Sequence, residues 1–143
     1  MKIDFLVGEW KSISKNLSTG KISTGYSSVK WIVGGTWLQW KYKSKTERGL
    51  LEVLTLINFN KEKKQYAFYS FNPFDTEPLP HFGNWEAPDK LRLKIITKNE
   101  RTCVDFIIKE NGNFDQIHSR LASSGKTIPA RKTSYTRITG KVN

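Results

Sequence analysis

This sequence predicts an all-β fold, a single antiparallel up-and-down β-barrel of about ten strands. Three observations carry that expectation. Aromatic and β-branched residues alternate with polar ones along nearly the whole chain, the period of a half-buried strand. Turn-forming groups such as Thr19-Gly20, Gly34-Gly35 and Asn111-Gly112-Asn113 recur at short intervals. No stretch has the length and spacing of an amphipathic core helix.

The elements follow in order. Residues 9–17 form the first strand candidate and end at Thr19-Gly20; residues 22–33 form the second and run into Gly34-Gly35. Residues 36–45 put Leu38, Trp40 and Tyr42 on one face and Trp37, Gln39 and Lys41 on the other. Residues 50–59 pair with 65–71 across a polar turn, and 82–86 and 90–97 flank Ala87-Pro88-Asp89. Residues 102–110 meet 114–122 across Asn111-Gly112-Asn113, a strong hairpin signal, and 130–139 come last. The chain after Ile138 reads as a short frayed tail. The one long connection, 71–80, holds three prolines and is either a rim flap or a spacer.

So long a sheet with one apolar face must bury that face and dispose of its edges. Closure into a barrel does both; two packed sheets are the rival arrangement. About ten strands enclose more room than side chains alone fill, which leaves space for a small ligand.

Composition limits the function classes. The length suits one domain over residues 1–143, and five Trp, eight Phe and five Tyr argue against disorder despite a formal net charge of +11. The single Cys103 excludes an intrachain disulfide and a multi-cysteine zinc site. No apolar run is long enough for a membrane helix or a signal peptide, so the expectation is a soluble, cytoplasmic protein with no membrane partner. From Gln116 to Asn143 there is no acidic residue, while Arg120, Lys126, Arg131, Lys132, Arg137 and Lys141 are basic. Solvated turns account for most such runs.

Several motifs carry a family resemblance. They are Phe5-Leu6-Val7-Gly8-Glu9-Trp10, Val33-Gly34-Gly35-Thr36-Trp37-Leu38, residues 54–60 followed by Tyr66-Ala67-Phe68, Gly83-Asn84-Trp85, and Ser134-Tyr135-Thr136-Arg137-Ile138. With these the chain resembles the lipocalin-like proteins of domain-of-unknown-function family 1579. That family is related to the nitrobindin-like and fatty-acid-binding-protein-like barrels of the calycin superfamily. The resemblance spans nearly all the chain and implies a closed or nearly closed barrel with an interior pocket. It supplies no reaction. Nitrobindin-like relatives bind heme through a late histidine, and the only late histidine here is His118. Strand period groups His118 with Gln116 and Arg120, opposite an apolar face of Ile117 and Leu121, which points it outward. A surface or supporting role is therefore favoured over heme ligation, and no cofactor is expected.

The candidate ligand contacts are Trp31, Trp40, Trp85, Tyr135 and Arg137. Tyr135 and Arg137 share a strand face, and an interior guanidinium beside a hydroxyl would suit a small anion, as in fatty-acid-binding barrels. An inward Arg137 also needs a resident partner, expected to be Asp or Glu. Tryptophans can stack on a flat ligand, yet aromatic rings more often fill barrel cores, and Trp10 is expected to plug one end. His81 lies near Asp75, Glu77 and Glu86 at the proline segment, with no paired spacing for a metal, so no metal site is expected. Cys103, alternating with Asp105, reads as a structural thiol.

Three functions follow. The leading one is a carrier or sensor of a small, largely apolar molecule held inside the barrel. The first alternative is an enzyme whose interior polar cluster comes from Tyr135, Arg137, Asp105 or His81, with no catalytic residue identified. The second is nucleic-acid binding through the basic surface, disfavoured because no recognition motif is visible. A homodimer stays open.

Overall fold

In the computed structural model, residues 3–46, 48–97 and 100–138 are described. The tail expected after Ile138 lies outside them. Ten strands follow one another in chain order: β1 (Gly8–Asn16), β2 (Ile22–Ile32), β3 (Trp37–Thr46), β4 (Gly49–Asn60) and β5 (Gln65–Phe71), then β6 (Leu79–Ala87), β7 (Lys90–Ile96), β8 (Arg101–Ile108), β9 (Phe114–Leu121) and β10 (Thr127–Arg137). Each is antiparallel to the next, and β10 pairs back onto β1, with Trp10 opposite Arg137 and Asn16 opposite Arg131. The ring is closed. That removes the exposed margins an open sheet would present and rules out the two-sheet arrangement.

Local chemistry sets the corners. The side chains of Asn16 and Asn60 each accept two backbone N–H bonds from the turn that follows, at 2.9 to 3.1 Å, fixing the β1–β2 and β4–β5 connections. The Gly34-Gly35 pair forms a short 3-10 turn in which Gly34 has φ 63°, a conformation that costs a residue with a Cβ. The proline segment is shorter than the sequence implies, because β6 already begins at Leu79 and pairs Pro80 with Tyr69.

Up-and-down order puts alternate connections at opposite ends of the ring. A feature absent from the sequence reading closes one of them. Asp4–Leu6 forms a 3-10 helix ahead of β1 and carries Ile3 and Leu6 into the interior. Trp10 is fully buried beneath it and donates its indole N–H to the Leu6 carbonyl at 2.8 Å. Phe5, Trp10, Trp40, Phe106, Phe114 and Tyr135 then pack as a continuous aromatic cluster, mostly edge to face. Tyr135 stacks flat on Phe114 with ring centres 4.5 Å apart. The core is therefore concentrated at this closed end.

Candidate functional site

Inward positions run through the ring in the strand period: Leu38, Trp40 and Tyr42 on β3, Val104 and Phe106 on β8, Thr133 and Tyr135 on β10. Toward the closed end they interdigitate. Toward the other end they diverge around a cavity of about 610 Å³. Its mouth is bordered by Leu51, Asn72, Phe74, Glu100, Arg120 and Arg131, which belong to the strand ends and connections opposite the 3-10 helix.

The floor of the cavity is apolar: Trp40, Phe68, Leu93, Val104 and Phe106. Its walls are not. Tyr135 donates its hydroxyl proton to Gln116 Oε1 at 3.1 Å, and Thr133 donates to Ser14 at 3.0 Å. Thr55 and Ser70 share a hydrogen bond at 3.1 Å across β4 and β5. These pairs satisfy groups that would otherwise be costly to remove from water, while leaving lone pairs directed at the lumen. Burial raises the Tyr135 phenol well above its usual range, so it remains a neutral donor and acceptor.

Two imidazoles complete the lining. His118 is held down at about 4 by burial first and then by Arg131 and His81, so it is neutral at pH 7. Its Nδ1 is buried with no hydrogen-bond partner. His81 is lowered as well, chiefly by burial, with a hydrogen bond to the Leu79 backbone working the other way.

This corrects the strand phase read for His118. Gln116, His118 and Arg120 face the lumen, whereas the apolar pattern had turned them outward. Phe114, fully buried in the aromatic cluster, anchors the inward face at one end of β9. Beyond it that face borders a cavity, so it carries polar groups where a packed core would carry apolar ones.

The five expected contacts separate. Trp40 and Tyr135 line the cavity. Trp31 is 38 % exposed and donates its indole N–H to Asp4 at 3.1 Å, on the outside of the closed end. Trp85 packs on Phe5 and borders a second, more open depression with Phe59 and Tyr66. Arg137 does face inward, but at the plug: it donates to the Val7 carbonyl at 2.6 Å and the Phe5 carbonyl at 3.3 Å and lies over the Trp10 ring at 4.2 Å. Its partners are backbone carbonyls and an indole face, in place of the expected carboxylate. Gly8, at φ 135°, leaves the room this guanidinium occupies, since a Cβ there would collide with it.

The polar cluster considered for catalysis separates too. Tyr135 and His81 share the cavity, but Asp105 lies on the outer face, held by Arg92 through two bonds of 2.7 and 2.8 Å. Cys103 beside it is fully buried, and burial pushes its thiol up to about 11, which leaves it protonated. Among the described residues no group of three or more His, Cys, Asp or Glu gathers to hold a metal ion.

No family model matches the chain, and no curated protein matches it. The architecture itself is consistent with the lipocalin-like, calycin type of barrel. Sequence reasoning missed Gln116 and His118 as cavity residues. The one signal that could have placed them is Phe114, two residues before Gln116 and therefore on the same face.

Proposed function

We propose that this chain is a soluble, cytoplasmic carrier or sensor for a small, largely apolar molecule with one or two hydrogen-bonding groups, held inside the barrel. The observation behind this reading is the cavity of about 610 Å³ with an aromatic floor and neutral polar walls, within the range that encloses small ligands. Trp40, Phe68 and Phe106 would take the apolar body; Tyr135, Gln116 and His118 would fix its polar groups. The resemblance to family 1579, on the motifs quoted above, fits the same reading. The test is titration with an environment-sensitive apolar fluorophore such as anilinonaphthalene sulfonate, following probe emission and Trp quenching. Saturable binding lost in the cavity-filling variant Val104→Trp, with the fold kept by circular dichroism, supports the proposal. Equal signals from that variant and the parent would sink it.

One observation favours a second reading. An imidazole that stays neutral and faces a roomy aromatic-lined cavity with a buried, unpartnered nitrogen is in the state that ligates a metal centre. His118 is thus the residue that would hold a heme iron. Adding hemin should then give a sharpened, shifted Soret band that His118→Ala abolishes; identical spectra for both proteins would dismiss it.

A further inference from the structure

The open end of the barrel collects two kinds of side chain that lie far apart in the sequence. Leu17, Ile22, Leu50, Phe71, Phe74 and Ile96 are all exposed, Phe74 at 76 %, and all sit at strand ends or connections on the cavity-mouth side. Exposed Lys15, Lys45, Arg48, Arg101, Arg120 and Arg131 are interspersed with them. Among the described residues no carboxylate pairs with any of these six cations, and the described acids at this end are Glu52, Asp75, Glu77 and Glu100. The closed end differs: Lys30, Lys61, Lys63, Lys64 and Lys109 alternate with Asp4, Glu9, Glu62, Glu86 and Glu110.

Scattered exposed apolar residues need no explanation. Others are exposed elsewhere, Val33 and Phe59 at the closed end among them, but the set gathered at this rim lies among cations that no described carboxylate pairs and surrounds the mouth of an apolar cavity, and that combination does need one. We propose that this rim docks on the surface of an anionic lipid bilayer, with the aliphatic and phenyl tips entering the headgroup region and the basic side chains meeting lipid phosphates. Such a surface rewards both features at once. Nucleic acid would reward the charge, but it binds flat stacking platforms, and most of these tips are branched aliphatic chains. Docking is peripheral. The outward face of β3 carries Lys41, Lys43 and Lys45, which exclude the barrel wall from hydrocarbon. No contiguous apolar run marks this surface in the sequence, where no membrane partner is expected; it forms only when the ring closes.

The proposal does not depend on what the cavity holds, and its test uses no cavity ligand. The full chain is sedimented with vesicles of phosphatidylcholine alone and of phosphatidylcholine mixed with phosphatidylglycerol. Binding should be confined to the anionic vesicles and weaken with salt. Phe74→Ser should reduce it about tenfold, and each of Arg48→Glu and Arg101→Glu at least about fivefold. Phe59→Ser and Lys63→Glu, at the closed end, should leave it unchanged. Four results overturn the proposal: no preference for anionic vesicles, equal losses from the closed-end variants, or indifference to Phe74→Ser, which marks charge adsorption alone. The fourth is a rim-dependent dimer or oligonucleotide complex that forms in place of vesicle binding.

Discussion

The two ends of this barrel are built from the same ten strands and do opposite things. At the closed end, Trp10, Leu6 and Phe114 are fully buried, the Trp10 indole N–H ends on a carbonyl, and the Arg137 guanidinium ends on carbonyls and an indole face. At the open end the same inward positions diverge around a cavity and carry serine, threonine, glutamine and histidine. Stability is thus concentrated where the interior is filled, and interior binding capacity lies where packing is given up. The contrast shows that strand pattern fixes which face is inside, whereas the distance along the barrel decides whether that face is packed.

Three substitutions test the contrast, from the largest effect to the smallest. Trp10→Ala empties the plug of its main side chain and removes the indole face under the Arg137 guanidinium, so urea unfolding should show a loss of about 4 kcal/mol. A loss below about 1 kcal/mol would mean that the closed end is not where the fold is held. The second test is pH-dependent and belongs to the open end. His118 is held at about 4 in the folded chain against an ordinary 6.5, so between those values the unfolded chain binds more protons. The stability this neutral imidazole permits is complete above pH 6.5 and is lost as pH falls through about 4, up to about 3 kcal/mol. His81 contributes in the same direction. His118→Gln should flatten that acid slope; a slope unchanged by the substitution would place His118 in water. Thr55→Val is the mildest, since its hydroxyl pairs with Ser70 at the cavity wall. Its melting temperature should move by the equivalent of less than about 1 kcal/mol, with any larger change appearing in probe affinity.

Much of the fold was legible from residues alone. The Asn111-Gly112-Asn113 hairpin, the Gly34-Gly35 turn and the alternation around Trp40 give strands within a few positions of those observed, because turn chemistry and period act locally. The 3-10 helix at Asp4–Leu6 was not legible: a single turn has no periodicity to detect, and its role depends on Trp10 and Arg137 meeting across β1 and β10. Arg137 was rightly expected to need a partner, but backbone carbonyls leave no mark in a sequence. His118 was assigned to the wrong face for a related reason. Apolar period identifies the interior only when the interior is packed, and β9 runs from the packed cluster at Phe114 into the cavity.

Joining the first strand to the last also governs how the molecule comes into being. Residues 10–16 find their β10 partners only among residues 131–137, so the ring cannot seal until those residues have left the ribosome. Contacts of such long sequence separation slow the search for the native state and leave two unpaired margins exposed in the meantime. Synthesis of this barrel therefore passes through an adhesive, half-wound ribbon that only the arrival of β10 makes safe.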